Sequence, residues 1–180
     1  LESDIIFEDS VLNSLTDDPR DSLALAAKYE SWMDGTCLVL SDQDDIEAMI
    51  PGKKFRFSDT EHYYKTVNLY KFSQEFSRTH YVPFLEAYTK ALGNNEYYEQ
   101  VLKVLVTLDD PGIKAKRLDE NQRWYEIDDI QDLNIAESIF APEKERTHLI
   151  QKRFGGYCGS VLFRNPTLIA DHCRQLLIQP

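Results

Sequence analysis

The spacing of apolar residues along this chain switches from a period of two to one of 3.6 and back, and this restricts the fold more than any single motif does. In "KTVNLYKFS", Val67, Leu69 and Lys71 fall on one side and Asn68 and Tyr70 on the other, as in a strand. Tyr81, Leu85, Tyr88 and Leu92 then recur at helical spacing until "LGNN" stops the run. Tyr98, Val101, Leu102 and Leu105 repeat the pattern up to "DDPG". "IKAKRL" and "RWYEI" return to strands around the turn "DENQ". "DIQDLNIAESIF" is helical again, with Leu133, Ala136 and Phe140 on one face. Strands interleaved with helices predict an α/β layer structure to about Phe140.

The flanking segments are read the same way. "DSVLNSL" is a short helix with Asp9 or Ser10 as cap, ended by "DDPR", and "GTCLVLS" is a strand. "SLALAAKY" fits a strand or a short helix equally, since its period does not decide. "DDIEAMIPGKKF" reads as an amphipathic turn broken at Pro51-Gly52. After "APEKER" come a Gly-Gly pair, an Asn-Pro turn and an amphipathic helix from about Pro166, with Leu168, Ile169, Cys173 and Leu176 toward a partner surface. That segment is too short for a domain of its own, and the chain reads as cut at both ends.

Composition narrows the function. The 180 residues suffice for one well-buried core, and 31 acidic against 20 basic residues give a net charge of −11. That argues against a nucleic-acid surface, which needs clustered cations, but leaves room for a small phosphorylated substrate held locally. Three cysteines without CxxC spacing predict reduced thiols and a cytoplasmic setting. No apolar run approaches the roughly 20 residues that span a bilayer. His62, His80, His148 and His172 lack zinc-site spacing, and neither a serine-nucleophile elbow nor a P-loop occurs.

Two acidic stretches carry the chemistry. "LESDIIFE" sets Glu2 and Asp4 between apolar patches. "RWYEIDDIQDL" sets Glu126 and Asp128 at the end of a strand and on one face of it, about 7 Å apart. Mg²⁺ takes hard oxygen ligands and suits such a pair. The same residues also read as a polar strand end in which Asp129 or Asp132 caps the following helix, and Asp4 as a lone turn aspartate. The pairs Tyr63–Tyr64 and Tyr97–Tyr98 are candidates to line an ammonium-binding box.

Together "LESDIIFE", "YYKTVNLYKFS" and "RWYEIDDIQDLNIAE" resemble the MobA-like, sugar-nucleotide-type nucleotidyltransferases, in the branch of the phosphocholine and 2-aminoethylphosphonate cytidylyltransferases, some of which are fused to an aminotransferase. The resemblance covers residues 1–140. It implies a three-layer Rossmann-like nucleotidyltransferase fold with a mixed sheet, of which these residues form the C-terminal portion. It implies Asp4, Glu126 and Asp128 as Mg²⁺ ligands, Lys65 acting with Asp4 and Asp128 in catalysis, and Glu2, Tyr64 and Asn68 as substrate-binding residues. Lys65 would bring its ammonium to the phosphates; read without the family, it is a surface lysine before an edge strand. The implied reaction transfers CMP from CTP to a small phosphorylated or phosphonate amino compound and releases pyrophosphate.

The Gly-rich "LAAGxGxR" loop and the base-binding region of that family are absent from these residues. The resemblance therefore implies incomplete activity here, a missing upstream half-domain, and residues 141–180 as a linker and the start of a fused aminotransferase-like domain. A homodimer is compatible with it. The acceptor and the choice of CTP over UTP stay open. The rival reading is a non-catalytic α/β interaction or remnant domain that needs a partner chain.

Overall fold

The computed structural model describes residues 4–93, 95 and 97–142. The proposed linker and aminotransferase start, together with Cys158, Cys173 and Glu2, lie outside the described residues. The chain divides into two compact units, one of residues 9–122 and one in which residues 2–8 join the part beginning at Arg123.

The larger unit is built on a five-stranded mixed sheet. In chain order it contains α1 (Asp9–Thr16), β2 (Leu23–Lys28), β3 (Cys37–Leu40), β4 (Ile46–Ile50), β5 (Tyr63–Lys71), α2 (Gln74–Phe76), α3 (Val82–Leu92), α4 (Glu99–Leu105) and β6 (Lys114–Arg117). The smaller unit supplies β1 (Ile5–Phe7), β7 (Trp124–Glu126) and α5 (Ile130–Phe140). The large sheet runs β4-β3-β5-β2-β6, antiparallel except for the β2–β6 pair.

Burial explains why the ambiguous "SLALAAKY" is a strand. β2 lies between β5 and β6, and Leu23 to Ala27 are all buried, so this run is apolar on both faces. One face carries Ala24, Ala26, Leu38, Ile46 and Met49 against Phe76, Val101, Leu102 and Leu105 of the helices. Leu23, Leu25, Cys37 and Val67, also buried, alternate to the other side. "DDIEAMI" corrects the sequence expectation: it forms β4, not an amphipathic turn. Its Ile46 and Met49 are spaced as in a helical turn, and pairing with β3 decides the matter.

The helix expected from Tyr81 begins earlier. Ser73 caps α2 by accepting from the Phe76 amide at 3.0 Å, and a π-helical turn over Ser77–Tyr81 leads into α3. Pro83 lacks an amide hydrogen, so an α ladder would lose a bond there; the widened turn lies immediately before it. Gly93, at φ +86°, ends the helix as "LGNN" suggested.

Candidate active site

Lys65 decides the reading of the larger unit. It is only 2% exposed, and it lies on β5, the middle strand, beside Cys37 of β3 and Ala27 of β2. The alternative of a surface lysine before an edge strand is therefore corrected. Alternation gives the side of a strand but not its depth in the sheet. The ammonium reaches Gly35, where a Cβ would stand 3.5 Å from Nζ; Gly35 has φ +82°, a conformation that favours glycine. Burial pushes the neighbouring Cys37 thiol up to about 11, against the pull of Lys65, which keeps it a protonated core side chain.

The end of β3 next to Lys65 is polar. The Thr66 amide and hydroxyl both donate to the Thr36 carbonyl, at 3.3 and 3.2 Å, and the hydroxyl also lies 3.0 Å from Asn68 Oδ1. The Thr36 hydroxyl in turn donates to Glu99 Oε2 at 2.9 Å, which ties α4 to the strand end. Asn68 is 6% exposed and takes φ +58° inside β5. There the register slips, so that Ala24 faces Tyr70 and Ala26 faces Thr66. Asparagine tolerates this backbone better than most residues, and bulges often re-aim side chains at sites.

The tyrosines do not form one box. Tyr63 is buried against Phe55, ring centroids 5.2 Å apart, and Tyr64 lies on the opposite face of β5. The Tyr64 ring already holds two cations of the protein, Lys28 Nζ at 4.7 Å and Arg117 Cζ at 5.1 Å from its centroid. Tyr97 is 77% exposed, and half-buried Tyr98 meets Tyr70 edge-on.

In the smaller unit β1 and β7 pair antiparallel, with Ile5 opposite Glu126, and the Ile127 amide donates to the Asp4 carbonyl at 2.8 Å. Tyr125 and Ile127 pack with Leu133 and Ala136 of α5, so Glu126 and Asp128 fall in step on the other side of the strand. Asp4 stands opposite Ile127, in step with the α5 side and not with Glu126 and Asp128, and its Oδ1 is buried without a hydrogen-bond partner among the described residues. Among those residues no three His, Cys, Asp or Glu side chains gather closely enough to hold a metal.

The capping alternative holds for two aspartates of this motif. Asp129 accepts from the Gln131 and Asp132 amides at 2.6 and 3.1 Å, and Asp132 accepts from those of Asp128 and Asp129 at 3.1 and 3.2 Å. This capping box starts α5. Asp129→Ala should lower stability by about 1 kcal/mol, within the usual 0.5–2 for a lost cap. A urea melt checks this, and a loss below about 0.3 kcal/mol would contradict it.

No protein-family model matches the chain. It is 27% identical over 159 residues to the CMP-5'-(3-aminopropyl)phosphonate synthase of Streptomyces rubellomurinus, covering 87% of this chain and 25% of that protein. Its backbone matches the CTP:phosphocholine cytidylyltransferase of Streptococcus pneumoniae with a TM-score of 0.57 at 19% identity, over 76% of this chain and 54% of that one. The fold is the Rossmann-like nucleotidyltransferase fold. The inositol-1-phosphate CTP transferase of T. maritima gives a TM-score of 0.45 at 20% identity, over 86% of this chain and 55% of that one. The chain thus spans a quarter of the length of the curated relative and about half that of the solved enzymes.

Within this nucleotidyltransferase fold, Lys65, Asn68, Asp4, Glu126 and Asp128 were open to sequence reasoning. Gly35, Thr36 and Glu99 were not. The one available signal was a glycine directly before a strand, which is a common arrangement. No described helix is long and apolar enough to cross a membrane.

Proposed function

We propose that this protein takes part in cytidylyl transfer from CTP to a small phosphorylated or phosphonate acceptor that carries an amine. The observation that carries the proposal is Lys65, a lysine buried on the middle strand of a nucleotidyltransferase fold and reaching a glycine with no side chain in its way. A lysine ammonium is a compact point charge that suits phosphate oxygens. The identity with an aminopropylphosphonate CMP synthase supports the acceptor class.

In the reaction an acceptor oxygen attacks the α-phosphorus of CTP. One phosphorus–oxygen bond forms, the bond to the β-phosphate breaks, and pyrophosphate leaves. No protein nucleophile is required, so the residues act by positioning and by neutralising developing charge. We assign the phosphates to Lys65 and orientation of the acceptor to Asn68. Tyr64 contributes through the two cations on its ring.

The smaller unit offers oxygen donors that fit Mg²⁺. Asp4 Oδ1 is a buried, unpartnered carboxylate oxygen and the first candidate ligand, while Glu126 and Asp128 fall in step on the other side of the strand pair. Mg²⁺ commonly keeps several waters and needs only one or two carboxylates, so a preformed three-carboxylate cluster is not a requirement. Held by these oxygens, the ion would supply Lewis-acid chemistry.

The direct test incubates the protein, expressed from its whole reading frame, with CTP, Mg²⁺ and phosphocholine, 2-aminoethylphosphonate or 3-aminopropylphosphonate, and follows pyrophosphate. Release that depends on an acceptor is expected. Its absence with every acceptor, together with no CTP binding, would defeat the proposal. Asp4→Asn should lower transfer by about 10²-fold. It should also abolish the rise in melting temperature that Mg²⁺ gives the unaltered protein. A variant that keeps that rise removes Asp4 from the ion's ligands.

A further inference from the structure

We infer that Thr66 is a positioning residue that turns the Asn68 carboxamide toward the phosphoryl or phosphonyl oxygens of the acceptor, an inference that rests on the cytidylyl-transfer reading above. The register of the sheet shows what is unusual at Asn68. Ala24 of β2 faces Tyr70 and Ala26 faces Thr66, so Leu25 alone lies across from Val67, Asn68 and Leu69. β5 therefore carries two extra residues at this point. An even excess leaves the faces of the strand in step before and after it, and Thr66 and Tyr70 line one small cavity together with Ala24 and Leu38. The bulge re-aims the residue at its centre and not the strand beyond it. That residue is Asn68, at φ +58° and 6% exposed. A left-handed, non-glycine residue inside a central strand gives up ladder bonds and is costly, and such positions gather at binding sites.

Thr66 fixes which end of that side chain points inward. Its hydroxyl, on a residue only 1% exposed, lies 3.0 Å from Asn68 Oδ1 and 3.2 Å from the Thr36 carbonyl. A hydroxyl has one proton to give. The Thr36 carbonyl also accepts from the Thr66 amide at 3.3 Å, so it keeps a donor when the hydroxyl proton goes to Asn68. A carboxamide has two main orientations, related by half a turn about its last torsion. A hydroxyl bonded to the oxygen holds one of them, and the NH₂ group then faces away from Thr66. Its N–H groups are donors, whereas phosphate and phosphonate oxygens are acceptors. The opposite orientation would set an oxygen against anionic oxygens. The ladder between β5 and β3 ends at Lys65 and Cys37, with the Thr66 amide giving one further bond, so no residue of β3 stands across from Asn68.

The test titrates 3-aminopropylphosphonate into the protein expressed from its whole reading frame and follows CMP transfer in parallel, with thermal melting to confirm that each variant is folded. Thr66→Val keeps the branched shape and removes the hydroxyl, whereas Thr66→Ser keeps the hydroxyl. Asn68→Gly keeps the left-handed backbone and removes the carboxamide. Thr66→Val should weaken acceptor binding and raise the acceptor KM by about 5- to 10-fold, the range of one lost hydrogen bond, while the KM for CTP stays within about twofold. Thr66→Ser should stay within about twofold of the unaltered protein. In the Asn68→Gly background Thr66→Val should change acceptor binding by less than about twofold, because a residue that acts through Asn68 has nothing left to position. Asn68→Asp keeps an oxygen for Thr66 and exchanges the donor for a second oxygen, so it should bind the acceptor no better than Asn68→Gly. A purely structural threonine would instead lower the melting temperature and affect CTP and acceptor alike. Undiminished acceptor affinity in Thr66→Val, an equal loss in both backgrounds, unaltered affinity in Asn68→Asp, or no phosphonate binding by the unaltered protein overturns the inference. Coupled losses in titration without CMP transfer support the positioning role while removing the cytidylyl reading.

Discussion

Replacing Lys65 by methionine should lower CMP transfer by about 10²- to 10³-fold while leaving the protein folded, the loss known for removing one preorganised donor at developing charge. Methionine copies the length and flexibility of the lysine stem and fits among the buried neighbours of β5. What disappears is the ammonium beside Gly35. Developing charge on the α-phosphate would then be met by solvent or by an unfilled space, neither of which is oriented in advance. The effect should fall mainly on kcat, because an interaction that strengthens in the transition state acts there and not on ground-state binding. Arginine is not a conservative substitute here. Its planar fork is larger than an ammonium, and the Lys65 tip already stands 3.5 Å from where a Cβ on Gly35 would lie. Steady-state kinetics with CTP and 3-aminopropylphosphonate, alongside circular dichroism, measure this. Turnover within threefold of the unaltered protein would remove Lys65 from catalysis and leave it a buried structural cation.

How far the site could be read from sequence depended on whether its signal was local. The alternation in "KTVNLYKFS" is local, and β5 is there. Its central position is not local: it follows from β2 and β3 choosing β5 as their shared partner, and that choice buries Lys65. The capping box is local as well, so Asp129 and Asp132 were readable as helix caps before any coordinates. β4 was misread because Ile46 and Met49 lie three residues apart, a spacing that a helical turn and a strand containing a register shift both allow. Glu99 was invisible for a different reason. An acid in the first turn of a helix is favoured by the helix dipole alone. Only its contact with Thr36, 63 residues earlier, shows that it also ties α4 to the start of β3.

Stability should depend most on a side chain remote from Lys65. Arg20→Ala is expected to cost about 2–4 kcal/mol and to lower the melting temperature by roughly 5–15 °C. The guanidinium grips Asp18 with two bonds of 2.9 Å, and its other nitrogen donates to Asp44 Oδ2 at 3.1 Å and to the Ala115 carbonyl at 3.0 Å. It therefore joins the segment before β2 to the β3–β4 turn and to β6. Asp44 holds φ +63° in that turn, and its carbonyl accepts from the Ala115 amide at 2.8 Å, so the turn is tied to β6 from both partners. The Asp18 side chain is only 9% exposed, and without Arg20 it would keep Lys116 at 3.7 Å as a weaker partner. The dependence on pH has a definite sign. Hydrogen bonds from Arg20 hold the Asp18 carboxyl well below the usual carboxylate range, outweighing its burial. A carboxyl lowered on folding contributes its full stability above its unfolded value of about 3.9 and loses it as the pH falls further. The gap between the unaltered protein and Arg20→Ala should accordingly be constant from pH 7 to about pH 5 and shrink toward pH 3. Urea melts across that range measure the gap. A gap that stays level to pH 3 would mean that the aliphatic stem of Arg20, and not its charge, holds these three segments together.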